Sequence, residues 1–181
     1  NVRSELDFCK LNGSTLLLKI ESPAVSEIVK VVNQRSHNLL ADNLFLSLAS
    51  GSDAPHSLWD LASWQMTDYW HRNGLDMPVR FHDGSGLSPK NLISARFINS
   101  LLMQMLNSEH AAHFQSSLAV GGESGTLVRI WQNPRWKGRV MAKSGFMQGV
   151  LGYAGYIHTI NGRKLCFCVS VNHFTQPVGE V

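Results

Sequence analysis

The strongest constraint on the fold of this chain lies near its C-terminus. Asn161-Gly162 is the dipeptide best suited to a two-residue antiparallel turn, since both residues tolerate positive φ. It separates two strand-like runs, Ala154 to Ile160 and Lys164 to Val171, so a hairpin is predicted there. Just upstream, Val140-Met141-Ala142-Lys143-Ser144-Gly145-Phe146-Met147 reads as a further strand that carries one lysine and one small hydroxyl and ends at a glycine. A lysine on a core strand is costly, because burial penalises its charge. The expectation is that this strand forms one wall of a site for a carboxylate-bearing peptide, with the ammonium and hydroxyl gripping the carboxylate and the glycine admitting the ligand backbone. Taken alone, Lys143-Ser144-Gly145 is more often an edge-strand lysine followed by a turn glycine.

The chain before this strand is mostly helical in pattern. Asp7 to Leu11 and Leu16 to Ile20 flank Asn12-Gly13 and read as two short strands. Ser22-Pro23 then supplies an N-cap and a first-turn proline for a helix over Ala24 to Gln34, in which Val25, Ile28, Val29 and Val32 share a face. A second, apolar helix is predicted from about Leu39 to Ser50, with Ser36 at its N-terminus. Gly51 to Pro55 is turn-rich, and Leu58 to Trp70 has helical period up to Asn73-Gly74, a left-handed cap. Val79 to Ser88 is an extended piece breaking into a glycine-rich loop. Ser88-Pro89 is expected to restart helix, Ala95 to Leu106 to be helical, Glu109 to Leu118 to form one more helix, and Thr126 to Trp131 to be extended or a short helix. Helices on an antiparallel sheet, an α/β arrangement of the layered α+β kind in one domain spanning 1–181, follow.

Composition excludes several classes of function. The 181 residues are 44% hydrophobic and 16% charged, a globular balance. The net charge of +3 arises from 16 basic and 13 acidic residues with no basic run, which does not argue for nucleic acid. No apolar stretch approaches the roughly 20 residues of a membrane helix. Cys9, Cys166 and Cys168 make neither a disulfide framework nor a four-ligand zinc site and read as small strand hydrophobes. His110 and His113 are spaced to share a helix face but lack a carboxylate, so no metal and no cofactor is expected. Trp59, Trp64, Trp70, Trp131 and Trp136 are read as core and rim packing before sugar stacking.

Ser36-His37-Asn38 adds a hydroxyl and an amide two positions apart, able to point into one cleft, although a serine cap explains Ser36 equally well. Ser-x-Asn upstream of Lys-Ser-Gly resembles the second and third motifs of penicillin-interacting serine enzymes, whose first motif is Ser-x-x-Lys. Further segments extend the likeness: Ser22-Pro23 through Glu27, Asn33 and Arg35 to Asp42; Asp83-Gly84-Ser85-Gly86-Leu87-Ser88; Leu118 to Gly122 with Gly125-Thr126-Leu127; and Gly138-Arg139-Val140 running into Lys143. Over about residues 16–173 the chain is similar to the D-alanyl-D-alanine carboxypeptidases and endopeptidases of the class C penicillin-binding proteins, peptidase family S13. It departs in having Ser144 where that family usually has threonine.

The resemblance implies an acyl-enzyme hydrolase of peptidoglycan stem peptides in the periplasm or cell envelope, inhibited by β-lactams. It implies catalytic roles for Ser36 in the proton path, Asn38 on the substrate amide or in orienting the lysine of the first motif, and Lys143 with Ser144 on the terminal carboxylate. Gly145 admits the substrate, the Phe146 backbone N–H joins the oxyanion hole, and Leu87 and Met147 shape the hollow. Asp83 and Ser85 are read first as turn residues. No Ser-x-x-Lys occurs in these residues: Ser26 precedes Lys30 by four positions and Ser88 precedes Lys90 by two. The expectation is therefore a C-terminal part of a longer enzyme, its first 20 residues returning from inserted domains, and inactive alone. The alternatives are a non-catalytic binding or scaffolding module of the same fold, or a β-lactamase, which the segments Ser22 to Asp42 and Asp83 to Ser88 disfavour.

Overall fold

The computed structural model describes residues 18–50 and 57–180. The predicted hairpin at Asn12-Gly13 and the Gly51 to Pro55 linker fall largely outside them, as does Cys9; residues 18–20 are described and form no strand. Among the described residues five α-helices precede or flank one sheet: α1 (Val25–Arg35), α2 (Asn38–Ser47), α3 (Leu58–Arg72), α4 (Ala95–Leu106) and α5 (Ala111–Ser117). The strands are β1 (Ala119–Val120), β2 (Val140–Met147), β3 (Val150–His158) and β4 (Lys164–Asn172), in the order β1-β2-β3-β4 with every neighbour antiparallel. This is the layered helix-and-sheet class that the pattern predicts.

The hairpin forms at the predicted turn, with Lys164 opposite His158, Gly162 at φ 75° and the Thr159 N–H donating to the Arg163 carbonyl at 2.8 Å. β2 does not stop at Gly145. It runs on to Met147 and turns at Gln148-Gly149, where Gly149 takes φ 73°.

Alternation along β2 divides the core. Val140 and Ala142 face one way, packing with Ala119 and Leu127 and against Trp131, Tyr153 and Phe167. Met141 faces the other, where Tyr156, Leu102 and Leu118 form the cluster under α4 and α5. The buried Tyr156 donates its phenolic O–H to the Leu102 carbonyl at 2.8 Å, so its one polar atom is satisfied inside an apolar layer. A third cluster, Phe45, Ala49 and Ala62 with Phe81 against it, joins α2 to α3. Of the tryptophans, Trp70 and Trp131 pack on Phe97 and Tyr153, whereas Trp64 is 61% exposed.

The helix expected after Ser22-Pro23 forms within one residue of its predicted ends, but neither Ser-Pro pair supplies the N-cap and first-turn proline of a helix. α1 takes Ala24 as its N-cap residue, with no side-chain cap, and Glu27 in its first turn offsets the exposed N–H groups. At the second pair, the Ser88 N–H is bound by Asp83 Oδ2 and the Ser88 carbonyl by the Asn91 amide, which closes a loop instead. Helix resumes only at Ala95, where Ser94 Oγ accepts from the Phe97 N–H at 3.1 Å. The second predicted helix ends at Ser47, α5 is shorter at both ends than expected with His110 as its N-cap residue, and the ambiguous stretch after Val120 holds a 3₁₀ turn at Gly125–Leu127. α3 ends as predicted, with Gly74 at φ 82° and the Leu75 N–H reaching back to the Trp70 carbonyl.

Gly155 of β3 lies opposite Ala142 of β2, and an added Cβ there would lie 2.1 Å from the Met141 oxygen and 2.7 Å from Ala142 Cα. Gly155→Ala is expected to lower unfolding stability by about 1–3 kcal/mol or more, the cost of overpacking a filled core. A urea midpoint equal to that of the unaltered chain would contradict the packing of these strands.

Candidate active site

The site is built where the α1–α2 junction meets β2. Ser36 is not the N-cap of α2, as the sequence suggested. It is the C-cap of α1, in the left-handed conformation with φ 55° and ψ 49°. The N-cap is His37, whose Nδ1 accepts from the Leu40 N–H at 3.3 Å. Two residues must reverse the chain between two helices, and one non-glycine residue takes the left-handed conformation to do so, at a cost of roughly 1–2 kcal/mol. The result aims the Ser36 hydroxyl at the sheet, and Asn38 opens α2 two residues later.

The last turn of α1 is fastened from behind. Asn33 Nδ2 donates to Ser117 Oγ at 2.7 Å, and Gln34 Nε2 donates to the Leu118 carbonyl at 2.6 Å. Ser117 in turn donates to the Phe114 carbonyl, so this buried hydroxyl both gives and receives. Gly125 lies against Gln34 so closely that a Cβ would fall 2.7 Å from its Oε1.

With α1 held there, Lys143 Nζ donates to Ser36 Oγ at 2.6 Å across 107 residues of sequence. The same ammonium donates to the Ser144 carbonyl. Ser144 Oγ is 2.7 Å from Thr126 Oγ1, on the 3₁₀ turn. Ser36, Lys143 and Ser144 thus form one hydrogen-bonded group, with Asn38 a half-turn of chain away. Burial of Lys143 pushes its pKa below the ordinary lysine value of 10.5.

β1 pairs only with Met141 and Ala142, so among the described residues the edge of β2 from Lys143 to Met147 is uncovered. Gly145 lies on this edge without a side chain, Phe146 is 60% exposed and Met147 half-buried beside it. The arrangement is an open shelf rather than an enclosed pocket. A surface hollow of about 540 Å³ is lined by Leu75, Arg96, Asn99 and Met103 and shares no residue with the Lys143 group.

Leu87 is exposed on a loop that two carboxylates hold rigid. Asp83 accepts from the N–H groups of Gly86 and Ser88 and from Asn91, the turn-capping role read from the sequence. Asp42, one helical turn after Asn38, accepts from the N–H groups of Gly84 and Ser85 at 3.0 and 2.8 Å. Sequence reasoning missed the parts played by Asp42, Gln34 and Thr126, because each meets its partner through a long-range contact.

The helix-backed antiparallel sheet is a fold shared with a penicillin-binding protein and a β-lactamase of known structure. Penicillin-binding protein 4 of Haemophilus influenzae, in a crystal structure with a β-lactam, superposes with a TM-score of 0.77 at 26% identity, covering 86% of this chain and 36% of that one. The TLA-1 extended-spectrum β-lactamase shares the fold at a TM-score of 0.61 and 15% identity, over 87% of this chain and 58% of the enzyme. Residues 8–180 match the D-Ala-D-Ala carboxypeptidase 3 (S13) family, and the chain belongs to that family. It is 26% identical to the D-alanyl-D-alanine carboxypeptidase DacB of Haemophilus influenzae over 88% of this chain and 34% of the relative. It is 32% identical to the D-alanyl-D-alanine carboxypeptidase of Actinomadura sp. strain R39 over 86% of this chain and 30% of that one. The chain therefore spans about a third of the length of these relatives.

The lowered pKa of Lys143 has a signed consequence. Between the depressed folded value and 10.5 the unfolded chain binds more protons at this residue, so the residue's contribution to stability rises with pH across that window. A heteronuclear NMR titration of Lys143 Nζ should give a midpoint below 10.5. A midpoint at or above that value would show that the ammonium is not desolvated.

Proposed function

We propose that these residues build two walls of the active site of a serine-type D-Ala-D-Ala carboxypeptidase or endopeptidase acting on peptidoglycan stem peptides. The attacking serine, on this reading, sits in a Ser-x-x-Lys motif outside these 181 residues. The observation that carries the reading is the 2.6 Å contact between Lys143 and Ser36, which unites Ser-x-Asn and Lys-Ser-Gly in a chain of the S13 family.

The chemistry follows from the donor and acceptor inventory. The substrate lies along the uncovered edge of β2, antiparallel to it, with Gly145 allowing close approach. Its terminal carboxylate is held by Lys143 and Ser144. The external serine attacks the carbonyl between the two D-alanines, giving up its proton to its own lysine, and the carbonyl oxygen becomes an oxyanion facing the Phe146 N–H. The C–N bond then breaks. Because Ser36 accepts from Lys143, its own O–H is free to protonate the departing amine, and the proton that the first-motif lysine took from the serine passes to Ser36, so that lysine is again neutral and Lys143 stays charged on the carboxylate. Asn38 binds the substrate amide, and Leu87 and Met147 border the hollow for the rest of the stem peptide. Water resolves the acyl-enzyme, and β-lactams acylate the same serine. A peptidoglycan substrate places the protein in the periplasm or cell envelope; among the described residues no helix is long and apolar enough to cross a membrane.

The test is covalent labelling with a fluorescent penicillin. The longer protein carrying Ser-x-x-Lys should take up label and the 181 residues alone should not. Ser36→Ala and Lys143→Ala in the longer protein should each slow acylation by roughly 10²–10⁴-fold, the range for losing a positioned proton-transfer group. A labelled band from the 181 residues alone sinks the assignment of an external serine, and an unlabelled longer protein leaves a non-catalytic module of this fold.

A further inference from the structure

Thr126 has no role in the reading above, yet it touches the group that the reading assigns to the substrate carboxylate. We infer that Thr126 is a positioning residue for carboxylate recognition: it stands behind Ser144 as the second hydroxyl of a two-hydroxyl chain that ends on the substrate's terminal carboxylate. The inference rests on the peptidase reading.

The site has few donors to offer an anion. A lysine ammonium has three N–H bonds. Lys143 already directs donors to Ser36 Oγ and to the Ser144 carbonyl, which leaves one for a ligand. A carboxylate presents two oxygens and accepts only, so the Ser144 O–H must supply a second bond. In the free protein that hydroxyl is paired with Thr126 Oγ1 at 2.7 Å.

A hydroxyl both gives and receives, and its hydrogen rotates to suit its partners. When the carboxylate arrives, the Ser144 hydrogen turns to it, and the Thr126 O–H donates into the lone pair that Ser144 now presents. No bond between the two oxygens is lost; its direction reverses. Each hydroxyl polarises the next, which strengthens the bond made to the anion.

Thr126 is also held firmly enough to do this. It is exposed, but it is flanked by the fully buried Leu127 and by Gly125. Gly125 adopts φ 57°, and a Cβ there would lie 2.7 Å from Gln34 Oε1 and 2.8 Å from Ala119 Cβ. The turn therefore cannot shift without moving the Gln34 amide that fastens α1.

The experiment uses the longer protein with an N-acylated tripeptide ending in D-Ala-D-Ala and the same peptide with its C-terminus amidated. Thr126→Val keeps the shape and removes the hydroxyl. It should raise KM for the free acid by about three- to tenfold, the size of one lost hydrogen bond between neutral groups, while leaving kcat within about twofold. Its kcat/KM on the amide should match that of the unaltered protein, and Thr126→Ser should restore the acid. Equal losses on acid and amide, or no loss on either, overturn the inference while leaving the peptidase reading standing. An unaltered protein that neither cleaves the acid nor takes up penicillin overturns both.

Discussion

Two side-chain amides carry most of the architecture of this site. Asn33 and Gln34 reach from the last turn of α1 to Ser117 and to the Leu118 carbonyl, where α5 hands over to β1. α1 itself buries no residue completely, so apolar packing does not fix it as it fixes α4. Directed hydrogen bonds take over that task. They specify position more tightly than apolar contact does, and a hydroxyl must be held within a few tenths of an ångström to meet an ammonium.

That fastening explains why Ser36 can occupy a strained backbone conformation. A left-handed serine is kept only where its surroundings over-determine it. Here the helix behind it is tied to the sheet, the helix ahead is capped by His37, and its own hydroxyl is engaged by Lys143. Asp42 adds a further tie, because its carboxylate binds the 84–85 backbone to the middle of α2. Gly84 makes that approach possible, since a Cβ would fall 2.3 Å from the Ala41 oxygen. The neighbouring loop and the Ser-x-Asn motif are thus parts of one rigid piece.

How far the sequence disclosed this depends on the range of the interaction in question. Asn161-Gly162 announced its hairpin because the turn's requirement for positive φ is local. Asn73-Gly74 announced the end of α3 for the same reason. Ser22-Pro23 announced α1 but not its N-cap, which is Ala24, whereas Ser88-Pro89 misled: the Asp83 and Asn91 side chains captured the backbone of Ser88 that a helix would have used. The hydroxyl of Ser36 was noticed by its motif, but a cap and a left-handed corner look alike in one dimension. The 2.6 Å contact with Lys143 could be expected only through family likeness, since no periodicity spans 107 residues. Thr126 and Asp42 lie in segments that carry the family likeness, but nothing local in the sequence assigns a partner to either, or to Gln34.

The uncovered edge of β2 has a cost as well as a use. Unpaired N–H and C=O groups along a strand will accept any extended chain, including another copy of the same strand. This stretch, Lys143 to Met147, is short, it starts at a charged residue, and its middle is a glycine with no side chain to interlock. On the proposed peptidase reading, such an edge binds weakly unless the incoming segment also ends in an anion within reach of the lysine. Discrimination would then lie less in what the shelf attracts than in how little it holds anything without a terminal carboxylate.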